Sequence, residues 1–149
     1  MTIGTLKARL AKMDLRFIAT ESIDQTKDHV KLLQQAQLFE GMTSEEHPIH
    51  RIGKPPDYIY AERTIREKRI KGQPTNRVTL RDKRDFYNEI FVDARDETFV
   101  IDSADEKAGK LIMDYGEKIF GLGRSRRAEW VQETLKPTYV RNIKTATGL

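Results

Sequence analysis

The tripeptide Asp105-Glu106-Lys107, with Asp93 upstream, is the set of residues best suited to chemistry in this chain. Two carboxylates can hold a divalent metal while a lysine assists an attacking water, the kit of a metal-dependent nuclease built on Asp93, Asp105 and Lys107. That chemistry asks for the tripeptide on a strand. Here Ser103-Ala-Asp-Glu106 reads as a capping box that opens a helix. The nuclease is therefore kept as an alternative, not as the main reading.

Other candidates are weaker. His47 and His50 lie three apart in a Pro-rich loop beside Glu45 and Glu46, and imidazole with carboxylate suits zinc. Their spacing matches no metal motif, so no metal and no cofactor is expected. Gly121-Leu-Gly123-Arg124 at a helix start could offer free N–H groups to an anion. It lacks the lysine-serine step of a phosphate loop and reads as a tight turn. There is no cysteine, hence no thiolate nucleophile, thiolate metal site or disulfide frame. No nucleophile-elbow, Walker or dinucleotide-binding pattern occurs, and no catalytic residue is expected.

The charges carry more information. Residues 61–84 hold nine Lys/Arg against three Asp/Glu, a net of +6. Residues 85–117 hold three against ten, a net of −7, and residues 124–149 return to +4. A nucleic-acid binder usually presents one basic face. Here a basic stretch adjoins an acidic one, a pattern that suits head-to-tail pairing of copies as well as neutralisation within one chain. In the basic stretch Arg63, Arg66, Arg69 and Arg77 interleave with Tyr58 and Tyr60. Such a set can dock an acidic protein surface. It can also grip nucleic acid through phosphate contacts and stacking, which makes a small basic nucleic-acid-binding protein the other alternative. Asp93, Asp96, Asp102 and Asp105 are the candidate acidic partners.

These residues need elements to position them. At 149 residues, 38% hydrophobic and 34% charged, one domain with a modest core is expected over 1–149. Leu6, Leu10, Met13 and Phe17, then Ile23, Val30 and Leu33, recur at helical spacing, predicting helices over 5–18 and 20–39. Glycines and prolines from Gly41 to Pro56 predict a loop, residues 58–70 read as a short helix or part of an arm, and 41–77 as a whole is taken as a protruding arm. Residues 86–94 and 98–102 predict a β-hairpin turning at 94–97. A short helix after Ser103 ends at Gly116, and a last helix over 125–147 is kinked by Pro137. Phe86, Phe91, Phe99, Ile101, Trp130 and Leu135 are the expected core. The class is α+β: a long N-terminal helical segment, an extended loop arm, a small antiparallel β-sheet, a short helix and a C-terminal helix. With no apolar leader and no long apolar run, a cytoplasmic product without a membrane span is expected.

One resemblance spans most of the chain. Gln37-Leu-Phe-Glu-Gly41, the Pro/Gly loop, Tyr58–Thr64, Val78-Thr-Leu80, Asp82-Lys-Arg-Asp85-Phe86-Tyr87, Tyr115-Gly116 and Ile119-Phe120-Gly121-Leu122 follow one another in an order that resembles small structural proteins of tailed bacteriophages. The class is the head–tail joining or tail-completion type, related to virion morphogenesis proteins. That family often carries Asp-Thr-Gly-aromatic ahead of the strand. This chain has Asp82-Lys83-Arg84-Asp85, which removes a tight-turn glycine and adds two positive charges. The resemblance implies a non-catalytic subunit that assembles with copies of itself into a neck ring between capsid portal and tail. Portal (connector) and tail proteins would be its further partners. It would be made in the host bacterial cytoplasm and reside in the virion, with non-specific contact to DNA passing through the ring.

Overall fold

The computed structural model describes residues Met1 to Leu149. Its N-terminal region holds three helices: α1 (Ile3–Ala11), α2 (Leu15–Gln25) and α3 (Lys27–Phe39). Side-chain caps set their starts. Thr2 Oγ1 accepts from Thr5 N–H at 3.1 Å, and Asp14 Oδ1 accepts from Phe17 N–H at 3.0 Å. The Asp14 cap divides the helix expected over 5–18 in two. At the next boundary the Thr26 hydroxyl donates to the Ser22 carbonyl at 2.9 Å, closing the last turn of α2.

After a long connection come α4 (Glu62–Ile70), α5 (Asp85–Asn88), β1 (Ile90–Arg95), β2 (Thr98–Ser103) and α6 (Ala108–Tyr115). A 3-10 turn over Glu117–Ile119 leads to α7 (Arg124–Trp130), a π-helical turn (Val131–Leu135) and α8 (Lys136–Thr147). The fold is α+β, with one two-stranded antiparallel sheet. No helix is long and apolar enough to cross a membrane.

The strand expected over 86–94 is shorter, because Asp85–Asn88 is a helical turn that buries Phe86 and Tyr87. Arg84 precedes it at φ 70°. A side chain there occupies backbone space that glycine enters freely. The hairpin turn is also tighter than expected. Arg95 pairs with Thr98, leaving Asp96 and Glu97 as a two-residue loop with φ of 47° and 63°. Positive φ at both positions matches the right-handed twist of the strands.

Pairing in this register puts Ile90, Val92, Ala94, Phe99, Ile101 and Ser103 on the inner face, against α2 and α3. Phe91, expected in the core, belongs to the outer face and is 45% exposed. One step along a strand exchanges faces, so Phe91 cannot join Val92 inside. Trp130, Leu122, Ile119, Leu38 and Val30 complete the core, and the Phe99 ring meets Trp130 edge-on at 5.1 Å. Leu135 packs against that core half-buried.

The capping box at 103–106 does not form. Ser103 Oγ accepts from Asp105 N–H at 3.2 Å and Asp105 Oδ1 from Lys107 N–H at 2.7 Å, which makes two successive turns. The helix begins only at Ala108. The discontinuity expected at Pro137 takes the form of the π turn. Proline has no N–H to return to the preceding turn, and the Lys136 N–H reaches back five residues to the Val131 carbonyl.

The segment 41–77, expected as a protruding arm, is fastened to the body and carries α4. Ile49 is buried, and its N–H donates to the Gly41 carbonyl at 2.8 Å. Ile52 N–H donates to the Asp114 carbonyl at 2.8 Å. Lys68 folds inward beneath α4, donating to the Arg81 carbonyl at 2.8 Å and to Gln73 Oε1 at 3.2 Å. Burial pushes its ammonium below the usual lysine range.

Candidate assembly surfaces

The basic stretch divides into residues the fold consumes and residues it leaves outward. Tyr60 is half-buried: its hydroxyl accepts from Thr79 N–H at 2.9 Å, and Lys68 Nζ stands 4.9 Å from its ring centroid. Burial raises its phenol above the ordinary value. Arg77 donates to the Phe39 carbonyl at 2.8 Å and lies over the Phe39 ring at 5.1 Å. Tyr58 is covered by Lys54 at 5.0 Å. Arg63 pairs with Glu67 one turn on, at 3.0 Å. Arg66 and Arg69 are exposed and enter no ion pair. Ile70 directly follows Arg69, lies one turn on from Arg66 and is 86% exposed. Helix α4 thus shows the solvent an isoleucine beside two free guanidinium groups.

The acidic candidates gather on the hairpin. Asp93 and Asp102 share its outer face with Phe91 and Val100, because Phe91 pairs with Asp102 and Asp93 with Val100. Phe91 and Val100 are 45% and 55% exposed. Asp93 is bridged to Arg95 at 2.5 Å, and Asp102 accepts from Ser103 N–H at 2.8 Å. Asp96 sits in the turn and Asp105 beyond the end of β2. The outer face is therefore an apolar pair with Asp93 and Asp102 beside it and Arg95 bridged to Asp93. Both strands are edge strands, with one side of each unpaired. No ion pair joins α4 to this face within the chain.

A third surface was not anticipated. Ile3, Leu10, Leu15 and Phe17 are all exposed, and α1 buries no residue. Their helical spacing was legible in the sequence; that they stay uncovered was not.

The other sequence candidates take structural roles. Asp105 accepts from Lys107 N–H, and Asp93 belongs to the outer strand face. His50 meets the Pro55 carbonyl at 2.7 Å, and His47 lies 3.9 Å from Glu45, which turns to Lys118 at 3.0 Å. Both glycine N–H groups of the turn are taken within the chain. Gly121 N–H donates to Gln34 Oε1 at 2.9 Å and Gly123 N–H to Gln37 Oε1 at 2.7 Å. Gln34 and Gln37 donate in return to the carbonyls of Ile119 and Gly121, at 2.9 and 2.8 Å. At the start of α7, Glu46 accepts from Ser125 N–H at 2.7 Å and from its hydroxyl. Those Ser125 bonds hold the Glu46 carboxyl below the usual carboxylate range. A carboxylate from a distant loop thus caps a helix whose own cap position, Gly123, has no side chain.

Compared with family models, curated proteins and solved structures, the chain matches none.

Proposed function

We propose that this protein is a structural subunit of a tailed-bacteriophage neck or tail-completion ring, acting by assembly with copies of itself. The observation that carries the reading is the complementarity of two uncovered surfaces. Helix α4 offers Ile70 beside Arg66 and Arg69, while the hairpin offers Phe91 and Val100 beside Asp93 and Asp102. Each is an apolar centre with a charged rim, the usual anatomy of a protein interface. Their signs are opposite, and they are different patches on one chain. A contact between different patches is heterologous, and it closes into a ring when the rotation between neighbours allows. The resemblance in the sequence supplies the setting: capsid portal on one side, tail on the other.

Native mass spectrometry over a concentration range, with negative-stain images of the same samples, tests the reading. The wild type is expected to form closed oligomers of one stoichiometry. The double variant Arg66→Glu, Arg69→Glu is expected to remain monomeric with an unchanged thermal melt, since neither side chain holds the fold together. Wild-type monomers at every concentration, or normal rings from the double variant, overturn it.

A further inference from the structure

We propose that His29, Glu129 and Glu133 form a zinc-class cation site that fastens α3 to the C-terminal helical run. The inference does not depend on the assembly reading. One ligand atom from each of the three lies within 4.8 Å of the others. His29 and Glu129 are half-buried and Glu133 is exposed.

The local backbone brings them together. Glu129 and Glu133 are four residues apart across the start of the π turn that Pro137 imposes, so both face the same way. Thr134 follows, and its hydroxyl does two things at once. It donates to the Trp130 carbonyl at 3.1 Å and stands 3.0 Å from His29 Nδ1. A hydroxyl has one proton. With that proton on the Trp130 carbonyl, Thr134 must accept from His29, so Nδ1 carries the hydrogen. The remaining nitrogen, Nε2, keeps its lone pair for a metal. Fixing the tautomer through an outer hydrogen bond is how metal-binding histidines are generally held.

The donor set of one imidazole and two carboxylates suits zinc and its neighbours better than magnesium or calcium, which prefer all-oxygen cages. A tetrahedral site with bonds of 2.0–2.1 Å needs donors about 3.4 Å apart. The required closure is about 1.4 Å from the present 4.8 Å limit, within reach of two glutamate side chains at the surface. Arg126 competes for Glu129 at 3.5 Å but also holds Glu40.

Isothermal titration of the full chain with zinc chloride tests the proposal. One saturable equivalent is expected, and none with magnesium chloride. Glu133→Gln and His29→Asn should each weaken binding about tenfold or more; Glu133 is exposed, so its variant keeps the fold. Thr134→Val should lower affinity roughly 10–100-fold, as losing an orienting partner does, and Thr134→Ser should restore it. His47→Asn should leave binding unchanged. Nitrogen NMR of the imidazole should show hydrogen on Nδ1 before zinc is added. The proposal is overturned by absent binding, by binding untouched in Glu133→Gln, by loss in His47→Asn, or by an Nε2–H tautomer.

Discussion

Helices α1 and α3 have the same apolar spacing and opposite fates. In α1, Leu6 and Leu10 recur as regularly as Val30 and Leu33 do in α3, yet α1 buries nothing and α3 buries Val30, Leu33, Gln34, Gln37 and Leu38. Leu10 is 43% exposed, whereas Gln34 is wholly buried. Periodicity tells which face of a helix is apolar, not whether the same chain covers it. What covers α3 is the hairpin and the 119–123 turn, both far away in sequence. Helix α1 touches only α8 to any extent, where Arg9 donates to the Thr147 carbonyl at 2.5 Å. Nine residues alone make a marginal helix in water, so α1 depends on that contact and on whatever meets its free face.

The contrast is largest at Leu38, which has no exposure. Leu38→Ala should destabilise the protein by about 2–5 kcal/mol, as removal of a buried leucine leaves a cavity lined by groups that only partly collapse. Urea unfolding followed by circular dichroism measures it. A loss under about 1 kcal/mol would mean that α3 is not the spine of the core.

A smaller effect is expected at Gln37, where burial is polar. Gln37→Leu matches its size but strands the buried Gly123 N–H and removes the donor to the Gly121 carbonyl. The expected loss is about 1–3 kcal/mol, the penalty of an orphaned buried group. Amide hydrogen exchange at Gly123 should accelerate in the same variant. If stability is unchanged while exchange stays slow, the glutamine latch is not what holds the glycine turn.

Much of the architecture was legible because it rests on local signals. The α+β class, the hairpin, the stop at Gly116 and the break at Pro137 all follow from turn residues and periodicity near the site concerned. The misses share a cause: each depends on a distant partner or on a one-residue choice. Phe91 was misplaced in the core because it is one step from Val92 on the same strand and so points to the other face. The arm proved fastened because Ile52 and Lys68 find carbonyls at Asp114 and Arg81. The latch of Gln34 and Gln37 was not legible, since nothing local announces a glycine turn more than eighty residues on. Of the assembly candidates, Arg66 and Arg69 are exposed. Tyr60 and Arg77 are absorbed by Thr79 and Phe39, which sequence spacing could not reveal.

Glu46 sharpens the comparison from the surface side, and its effect depends on pH. The carboxyl is held below its ordinary value of 4.5, first by the Ser125 side chain and then by the Ser125 backbone. A folded-state pKa below the unfolded one means stability that is present above the unfolded value and lost as pH falls through the folded one. Glu46→Gln should therefore lower the urea midpoint slightly near neutral pH. The gap to wild type should close as pH falls below 4.5. A gap that does not narrow as pH falls below 4.5 would assign the effect to packing instead of charge.

The smallest effect should come from Leu10→Ala, the direct counterpart of Leu38→Ala. The same atoms are removed from a helix of similar pattern, but here they face solvent, and alanine is the better helix former. Monomer stability should shift by no more than about 0.5 kcal/mol in either direction, the usual range for surface substitutions. The urea midpoint must be taken at low protein concentration, where association contributes nothing. A loss approaching that of Leu38→Ala would show that α1 is packed within its own chain after all. A flat result at low concentration, with a loss that appears only as concentration rises, would place the cover of α1 on a second molecule.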